Sequence, residues 1–452
     1  MIKKTIQPHK EKEIQNELKI LKHISVQWFF TALSFIFVWL EQYKSGDGYP
    51  HLINQISFNA SDRPWVPNSS PIHPIFGIHY FGDWVLNLAW AKEPNCYLLI
   101  TSKCQTPPVG NLIFRLMSSL GYSISYFVWT LMAAFLYWYA IKKLFKSTSV
   151  VTRCNIFLIF VVFTNGNIVS FDRGSVHFFV FALVLVSYLK YREGKISQSL
   201  VLYVLAVGLK PQVAFCLILL IFLKKYRQFI LTIVLLLISN LFALLFFSGG
   251  YAKSLQGYLT ATLTYTGSPA TYPQIASSDS IIGIITRYRE LFKDSSTTIP
   301  FLTHYRSFLI VPGLIWLVVI TLVLFLQWTS FQVCILLSLS TVTFIVPASN
   351  SYTLGWFSVG ILLLVANSQE KLTEKSLEVG SCSKTEKFLI RAIYVVGITP
   401  FFDLLIPFNF LQKVQPLLFF LPPLYFLLIA NSVRLHFQKK KLDSLPVKIF
   451  ST

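Results

Sequence analysis

The chain has 452 residues, of which 54% are hydrophobic, 16% aromatic and 13% charged, and it carries a net charge of +20. Its mean hydropathy of +0.59 excludes a soluble globular domain, where about a quarter of the residues are charged, and a disordered chain, which is poor in apolar residues. An integral membrane protein remains, and because no basic soluble module studded with aromatic residues is present, nucleic acid is not expected as a partner.

Long apolar runs predict an all-α, polytopic membrane protein. A hydrocarbon core about 30 Å thick needs about 20 helical residues, and runs near that length recur along the chain. About ten are predicted to span the membrane, at residues 25–42, 121–141, 154–171, 175–189, 228–248, 306–327, 329–347, 355–367, 388–407 and 416–434. The first follows a basic segment that has no small-residue cleavage site after it, which favours an uncleaved signal anchor.

Between the fourth and fifth of these runs lie two half-length runs, Ile196–Leu209 and Val213–Leu223, joined by Lys210-Pro211. Each gives a helix of about 18 Å, which is too short to cross the core. A charge beside a helix breaker at membrane depth is costly, and non-helical backbone is tolerated there only inside protein or against a wet cavity. The pair is therefore predicted to form a re-entrant helical hairpin that belongs to a site.

The distribution of Lys and Arg predicts that both termini lie inside. With that orientation the inner segments hold about 26 of the 39 basic residues. Basic cytoplasmic tails at 1–25 and 435–452 then flank a single transmembrane domain at 26–434, with long outer loops at 43–120 and 249–305. The positive charge also favours contact with anionic membrane lipids. The expected location is the plasma membrane of a bacterium, or the endoplasmic reticulum membrane in a eukaryote.

The first outer loop contains the strongest catalytic candidate, Asp83. Aromatic neighbours such as Tyr80 and Trp84 would exclude water, raise the pKa of the carboxyl group and suit it to act as a general base. The structural alternative is a helix N-cap or a solvated loop acid. Asp47 competes with Asp83 because it follows the first span directly, although Gly-Asp-Gly is also an ordinary turn sequence.

The sequence contains neither a typical metal-ligand spacing nor a Gly-rich nucleotide-binding loop, so no metal or other cofactor is expected. Cys96 and Cys104 share the first outer loop, where an oxidising compartment would allow a disulfide between them. The other cysteines in apolar runs are interpreted as small hydrophobic residues.

An ordered set of weak motifs resembles the multi-spanning glycosyltransferases of the GT-C superfamily, and in particular glycosyltransferase family 87 (DUF2029-like proteins). The set comprises the outer-loop Asp, Asn95-x-Tyr97, Pro107-Pro108, Arg173-Gly174, Gly194-Lys195, Leu209-Lys210-Pro211 and Lys224-Lys225-Tyr226-Arg227. It covers about residues 80–230, and Thr106 stands where the family more usually has Tyr. Further along, Ser277-Ser278-Asp279-Ser280-Ile281 is similar to a polar outer-loop element of the same proteins.

The resemblance implies an inverting enzyme that moves a sugar, mannose or a similar one, from a polyprenyl-phosphate donor to a glycan or glycolipid acceptor on the outer face. By its spacing to the later motifs, Asp83 corresponds to the catalytic base, with Asp47 as the alternate. Cations are needed beside the donor phosphate because charge builds there as the bond breaks. The candidates are Arg173, Lys210, Arg287 and Arg289, and the candidates for substrate contact are His79, Asn95, Tyr97 and Asp279.

Each candidate also has a structural interpretation. Arg173 can pair with Asp172, Lys210 can extend to a nearby interface or set the architecture beneath Arg173, and Arg287 and Arg289 can bind lipid headgroups. A lone His in an aromatic setting, such as His79 or His177, is more often a hydrogen-bonded structural residue. Arg173, at the outer end of its span, is the better placed phosphate ligand.

The main rival function is a transporter or flippase whose path would be lined by intramembrane charges and Pro-broken helices. Transporters often contain internal repeats, and no duplication is found between the two halves of this chain. A second rival is a polymerase or ligase that uses a lipid diphosphate donor, which Arg-rich outer loops would favour. Here the basic residues of the outer loops are few and dispersed, so transfer from a polyprenyl-phosphate sugar is the preferred prediction.

Overall fold

The computed structural model describes residues 17–33 except 19, 82–98, 104, 106–267, 281–292, 298–305, 308–326, 328–345, 354–367, 383–398 and 416–443. The regular elements of these residues are all helices, which confirms the all-α prediction for this part of the chain. In chain order they are α1 (17–33), α2 (Gly82–Lys92), α3 (Pro108–Ser118), α4 (Tyr122–Leu144), α5 (Val150–Phe157), α6 (Asn165–Arg173), α7 (His177–Arg192), α8 (Ile196–Leu209), α9 (Ile218–Phe222), α10 (Tyr226–Ala243), α11 (Tyr251–Gly267), α12 (Ile281–Phe292), α13 (Thr298–His304), α14 (Val311–Phe325), α15 (Phe331–Phe344), α16 (Trp356–Asn367), α17 (Lys384–Ile398) and α18 (Pro416–Asp443).

Two of the described helical segments, Ile124–Leu144 and Tyr226–Phe246, are long and apolar enough to cross a membrane. Six further apolar helical segments of 10–17 residues are shorter than a full span. The predicted count of about ten spans, the domain bounds and the orientation with both termini inside therefore stay predictions.

One predicted span, 154–171, is not a continuous helix. After α5 the chain makes a π-helical turn over Leu158–Val162 and then becomes extended at Thr164, with φ −82° and ψ 142°, before α6 begins. Asn167 donates through Nδ2 to the Val161 carbonyl oxygen at 2.7 Å and to Ser358 Oγ at 2.8 Å. The break is stabilised because the Asn167 side chain binds the Val161 carbonyl oxygen, a backbone group that would otherwise need a partner within a continuous helix.

The break at Lys210-Pro211 is confirmed. α8 ends at Leu209, and Lys210 is extended, with φ −144° and ψ 101°. A residue before proline is disfavoured in the α region, so the helix ends there. The second half of the predicted hairpin begins as a 3-10 helix, Pro211–Leu217, and continues as α9, so it differs from the continuous α-helix that the apolar run suggested.

Among the described helices, α7 is deeply buried and packs against α4, α8 and α16. Every side chain from His177 to Ser187 is buried, as expected for a helix that is apolar on all sides. α3 lies against α8 where two glycines meet: a Cβ on Gly110 would overlap the carbonyl oxygen of Gly208 and come 3.2 Å from the Leu209 Cα. This close backbone approach places the end of α8 beside α3, which in turn packs against α2.

Candidate active site

Asp83 lies in the first turn of α2, which is held in place by the buried side chain of the next residue, Trp84. The Trp84 side chain is fully buried and donates through Nε1 to Ser125 Oγ at 3.1 Å. Its ring lies 5.6 Å from that of Phe114 and 5.2 Å from that of Trp129. Asp83 is half-buried beside this aromatic cluster, and the dipole of α2 favours a negative charge at this end of the helix.

Lys210 is brought to Asp83 from a distant part of the sequence. The two side chains are close enough for the Asp83 carboxylate to attract the Lys210 ammonium. The packing of α2 on α3, and of α3 on α8 through Gly110 and Gly208, accounts for their proximity. A half-buried carboxylate and a half-buried cation therefore lie within electrostatic range of each other, and the cation stands at the point where the helix is broken.

His177, at the start of α7, lies near Lys210. It is the first residue of α7, is fully buried, and its Nδ1 lies 2.7 Å from Ser175 Oγ. It lies within electrostatic range of Lys210 and within reach of the Gln212 side chain. The hydrogen bond to Ser175 fits the structural interpretation of His177, while its position makes it part of the surroundings of Lys210.

The end of α6 lies near the first turn of α2. α6 packs against α2, and Tyr126, whose ring is 5.9 Å from that of Trp84, donates a hydrogen bond to the Phe171 carbonyl oxygen at 2.9 Å. Gly174 ends the helix in the left-handed region with φ 65°, which turns the chain towards α7. Arg173 is the last residue of α6, so its backbone lies at this turn.

Asn95 and Tyr97, two predicted substrate contacts, form hydrogen bonds within the protein. Asn95 donates through Nδ2 to the Ser248 carbonyl oxygen at 2.6 Å and to Ser254 Oγ at 2.7 Å. The Tyr97 hydroxyl donates to the Thr106 carbonyl oxygen at 2.7 Å, and burial raises the pKa of this phenol, so it stays protonated. These contacts support a role in holding the outer segment, and direct contact with substrate stays a prediction for both.

The disulfide that the sequence allowed is present between Cys96 and Cys104, with a Cα–Cα distance of 6.0 Å. Asn111 of α3 donates through Nδ2 to Cys96 Sγ at 2.9 Å. The bond joins Cys96, which follows α2, to Cys104, which precedes α3.

The remaining candidates lie on another helix or outside the described residues. Arg289 lies on α12, which packs against α14, and its guanidinium lies 4.6 Å from the centre of the Phe301 ring. Arg287 is on the same helix. Asp47, His79 and Asp279 lie outside the described residues.

Arg115 was not identified from the sequence, although it connects the residues at the end of α2 to those that follow α10. Its guanidinium donates to the carbonyl oxygens of Ala91 at 3.1 Å, Glu93 at 2.9 Å, Pro94 at 3.2 Å and Phe246 at 3.3 Å. It also lies 5.0 Å from the centre of the Phe247 ring. The only available signal was a single Arg in an otherwise apolar helix.

Replacing Arg115 with Ala is expected to lower the apparent melting temperature of the purified protein by about 5 °C, because several charge-assisted hydrogen bonds to backbone are lost. Lys should not restore the loss, since its ammonium cannot reproduce the fork of donors. Thermal unfolding in detergent, followed by Trp fluorescence, measures the effect. Arg153→Ala is the control, because among the described residues Arg153 donates one long hydrogen bond, to the Ser149 carbonyl oxygen at 3.4 Å. Equal losses in both variants would contradict the assignment.

The model of glycosyltransferase family 87 matches residues 106–351, which is more than half of the chain. The match includes the Pro107-Pro108, Arg173 and Lys210 segments and begins after Asp83. No curated protein and no solved structure matches the chain. The family resemblance of the sequence is thus confirmed: the chain belongs to glycosyltransferase family 87 and is a glycosyltransferase.

Proposed function

We propose that the protein transfers a sugar, mannose or a similar one, from a polyprenyl-phosphate donor to a hydroxyl group of a glycan or glycolipid acceptor, with inversion, on the outer face of the membrane. The observation that carries the proposal is that Asp83 and Lys210 lie within electrostatic range of each other, because this brings the proposed base near a cation in a member of a glycosyltransferase family. Family membership also favours an enzyme over the transporter or flippase alternative.

In the proposed reaction the Asp83 carboxylate takes the proton of the acceptor hydroxyl. The freed oxygen attacks the anomeric carbon of the sugar, and the bond from that carbon to the phosphate oxygen breaks on the opposite side. The electron pair of that bond leaves with the lipid phosphate, where negative charge increases. The Lys210 ammonium and the Arg173 guanidinium are proposed to stabilise that charge.

Three features support a lipid-linked donor used at an outer membrane face. The sequence has no Gly-rich loop of the kind that binds nucleotide phosphates. The disulfide beside α2 is typical of an oxidising compartment. The apolar helix α10 exposes side chains along its length, including Ile230, Leu237 and Phe242, as expected of a surface that faces lipid. The plasma membrane of a bacterium, or the endoplasmic reticulum membrane in a eukaryote, remains the proposed location.

The decisive test is to assay the purified protein with a panel of donors in one acceptor mixture. The panel contains polyprenyl-phosphate mannose and arabinofuranose, a lipid diphosphate sugar and a nucleotide sugar. Turnover is expected with a polyprenyl-phosphate sugar, with release of polyprenyl phosphate and inversion at the anomeric carbon. Turnover restricted to the diphosphate donor would favour the polymerase or ligase alternative. Substrate flux across vesicles without any sugar transfer would contradict the proposal as a whole.

A further inference from the structure

The backbone of the Asp83 turn is bound by a side chain from the next turn of α2. Asn87 donates through Nδ2 to the Asp83 carbonyl oxygen at 2.8 Å. Residues four apart on a helix lie on the same face, so Asn87 sits directly below Asp83. An amide side chain has donors at one end and an acceptor at the other, and its orientation is therefore set by whatever binds its oxygen.

Thr106 supplies that partner. Its hydroxyl donates to Asn87 Oδ1 at 3.0 Å, which leaves the Asn87 amino group directed at the Asp83 carbonyl oxygen. Thr106 is itself bound through its carbonyl oxygen, which accepts the Tyr97 hydroxyl. Two hydrogen bonds thus connect the turn of α2 that carries Asp83 to the segment that leads into α3.

That segment is held on both sides of Thr106. Cys104 is bonded to Cys96, and Pro107 and Pro108 begin α3 with the restricted backbone angles that proline imposes. The methyl group of Thr106 lies next to Gly110, at 3.1 Å from where a Cβ would stand on that residue. Thr106 is therefore an anchored donor whose hydroxyl has little freedom to move away from Asn87.

We propose that Thr106 and Asn87 are positioning residues for the reaction: the Thr106 hydroxyl orients the Asn87 amide, which fixes the turn that carries Asp83. This inference rests on the proposed role of Asp83 as the base. A base must be held within hydrogen-bond reach of the proton it removes, and a small displacement is costly to the rate. Neither residue touches the substrate in this proposal, so donor binding should not depend on them.

The test compares Thr106→Val, which keeps the shape and removes the hydroxyl, with Thr106→Ser, which keeps the hydroxyl. Thr106→Val is expected to lower kcat about tenfold, with the KM for donor and acceptor within about twofold of wild type, while Thr106→Ser stays near wild type. Asn87→Ala should lower kcat to a similar degree, and the double variant should be no slower than either single one. Thr321→Val on α14 is the matched control, because the Thr321 hydroxyl binds the Leu317 carbonyl oxygen within its own helix.

A merely structural role is separated by repeating Thr106→Val in the Asp83→Asn background. If Thr106 acts through Asp83, the second change has no further effect on the residual rate, whereas a general loss of fold lowers it about tenfold again. Unchanged kcat in Thr106→Val, or additive losses with Asp83→Asn, would overturn the inference. Failure of the wild-type protein to use any lipid-linked donor would instead count against the proposed function.

Discussion

Asp83→Asn is expected to lower sugar transfer about 10³-fold, while the protein stays folded and inserted in the membrane. The change keeps the size of the side chain and removes its capacity to accept a proton, and general-base catalysis contributes roughly 10²–10⁴-fold to enzyme rates. Initial rates with a polyprenyl-phosphate sugar measure the loss. The KM for the donor should change little, because the carboxylate acts on the acceptor hydroxyl.

Two controls accompany this prediction. Glu93→Gln removes an exposed carboxylate just beyond the other end of α2 and should leave the rate near that of wild type. Asp47→Asn tests the alternate base. Full activity in Asp83→Asn together with a loss in Asp47→Asn would move the assignment to Asp47.

Lys210→Ala is expected to reduce kcat/KM for the donor about 100-fold. The ammonium is proposed to meet the donor phosphate, and its attraction grows as negative charge builds on the leaving group, so both KM and kcat should suffer. Steady-state kinetics with varied donor concentration measure the two effects. Lys210→Arg should recover part of the loss, because the positive charge is kept while the geometry changes.

The alternative for Lys210 is an architectural role beneath Arg173, and kinetics and stability together distinguish the two. If Lys210 is architectural, Lys210→Ala lowers the melting temperature and leaves donor KM unchanged, while Arg173→Ala raises donor KM. Lys253→Ala is the control, because Lys253 lies on α11 with an exposed side chain. Unchanged donor kinetics in Lys210→Ala would remove Lys210 from the phosphate site.

Local rules predicted the helix break that carries Lys210, because a residue before proline leaves the α region whatever surrounds it. The interruption after Phe157 was not predicted, since Leu158–Val162 is apolar and fits a continuous span. Its cause is the binding of Asn167 to the Val161 carbonyl oxygen and to Ser358, a residue of a distant helix. Interactions of this kind depend on tertiary contacts and leave no periodic pattern in the sequence.

In the candidate site, too, local sequence predicted some features while others depend on tertiary contacts. Asp83 and Lys210 were each identified from residue type and setting, but their proximity depends on the packing of α3 against α8. Gly110 and Gly208 permit that packing, and an isolated glycine in an apolar helix does not reveal its partner. Arg115 was missed because it binds backbone carbonyl oxygens, which every residue possesses. The Asn95 and Tyr97 motif was found, and the contacts now seen support a role in shaping the outer segment.

The meeting of Gly110 and Gly208 also sets how this enzyme can change its specificity. A Cβ on Gly110 would meet the Gly208 carbonyl oxygen, and a Cβ on Gly208 would meet the Val109 side chain, so a substitution at either glycine is expected to widen the separation of α3 and α8. Because α2 packs on α3, widening is expected to move Asp83 away from Lys210. We therefore expect new sugars or acceptors to be accommodated by changes in the loops around the site, while the separation of Asp83 and Lys210 stays constant.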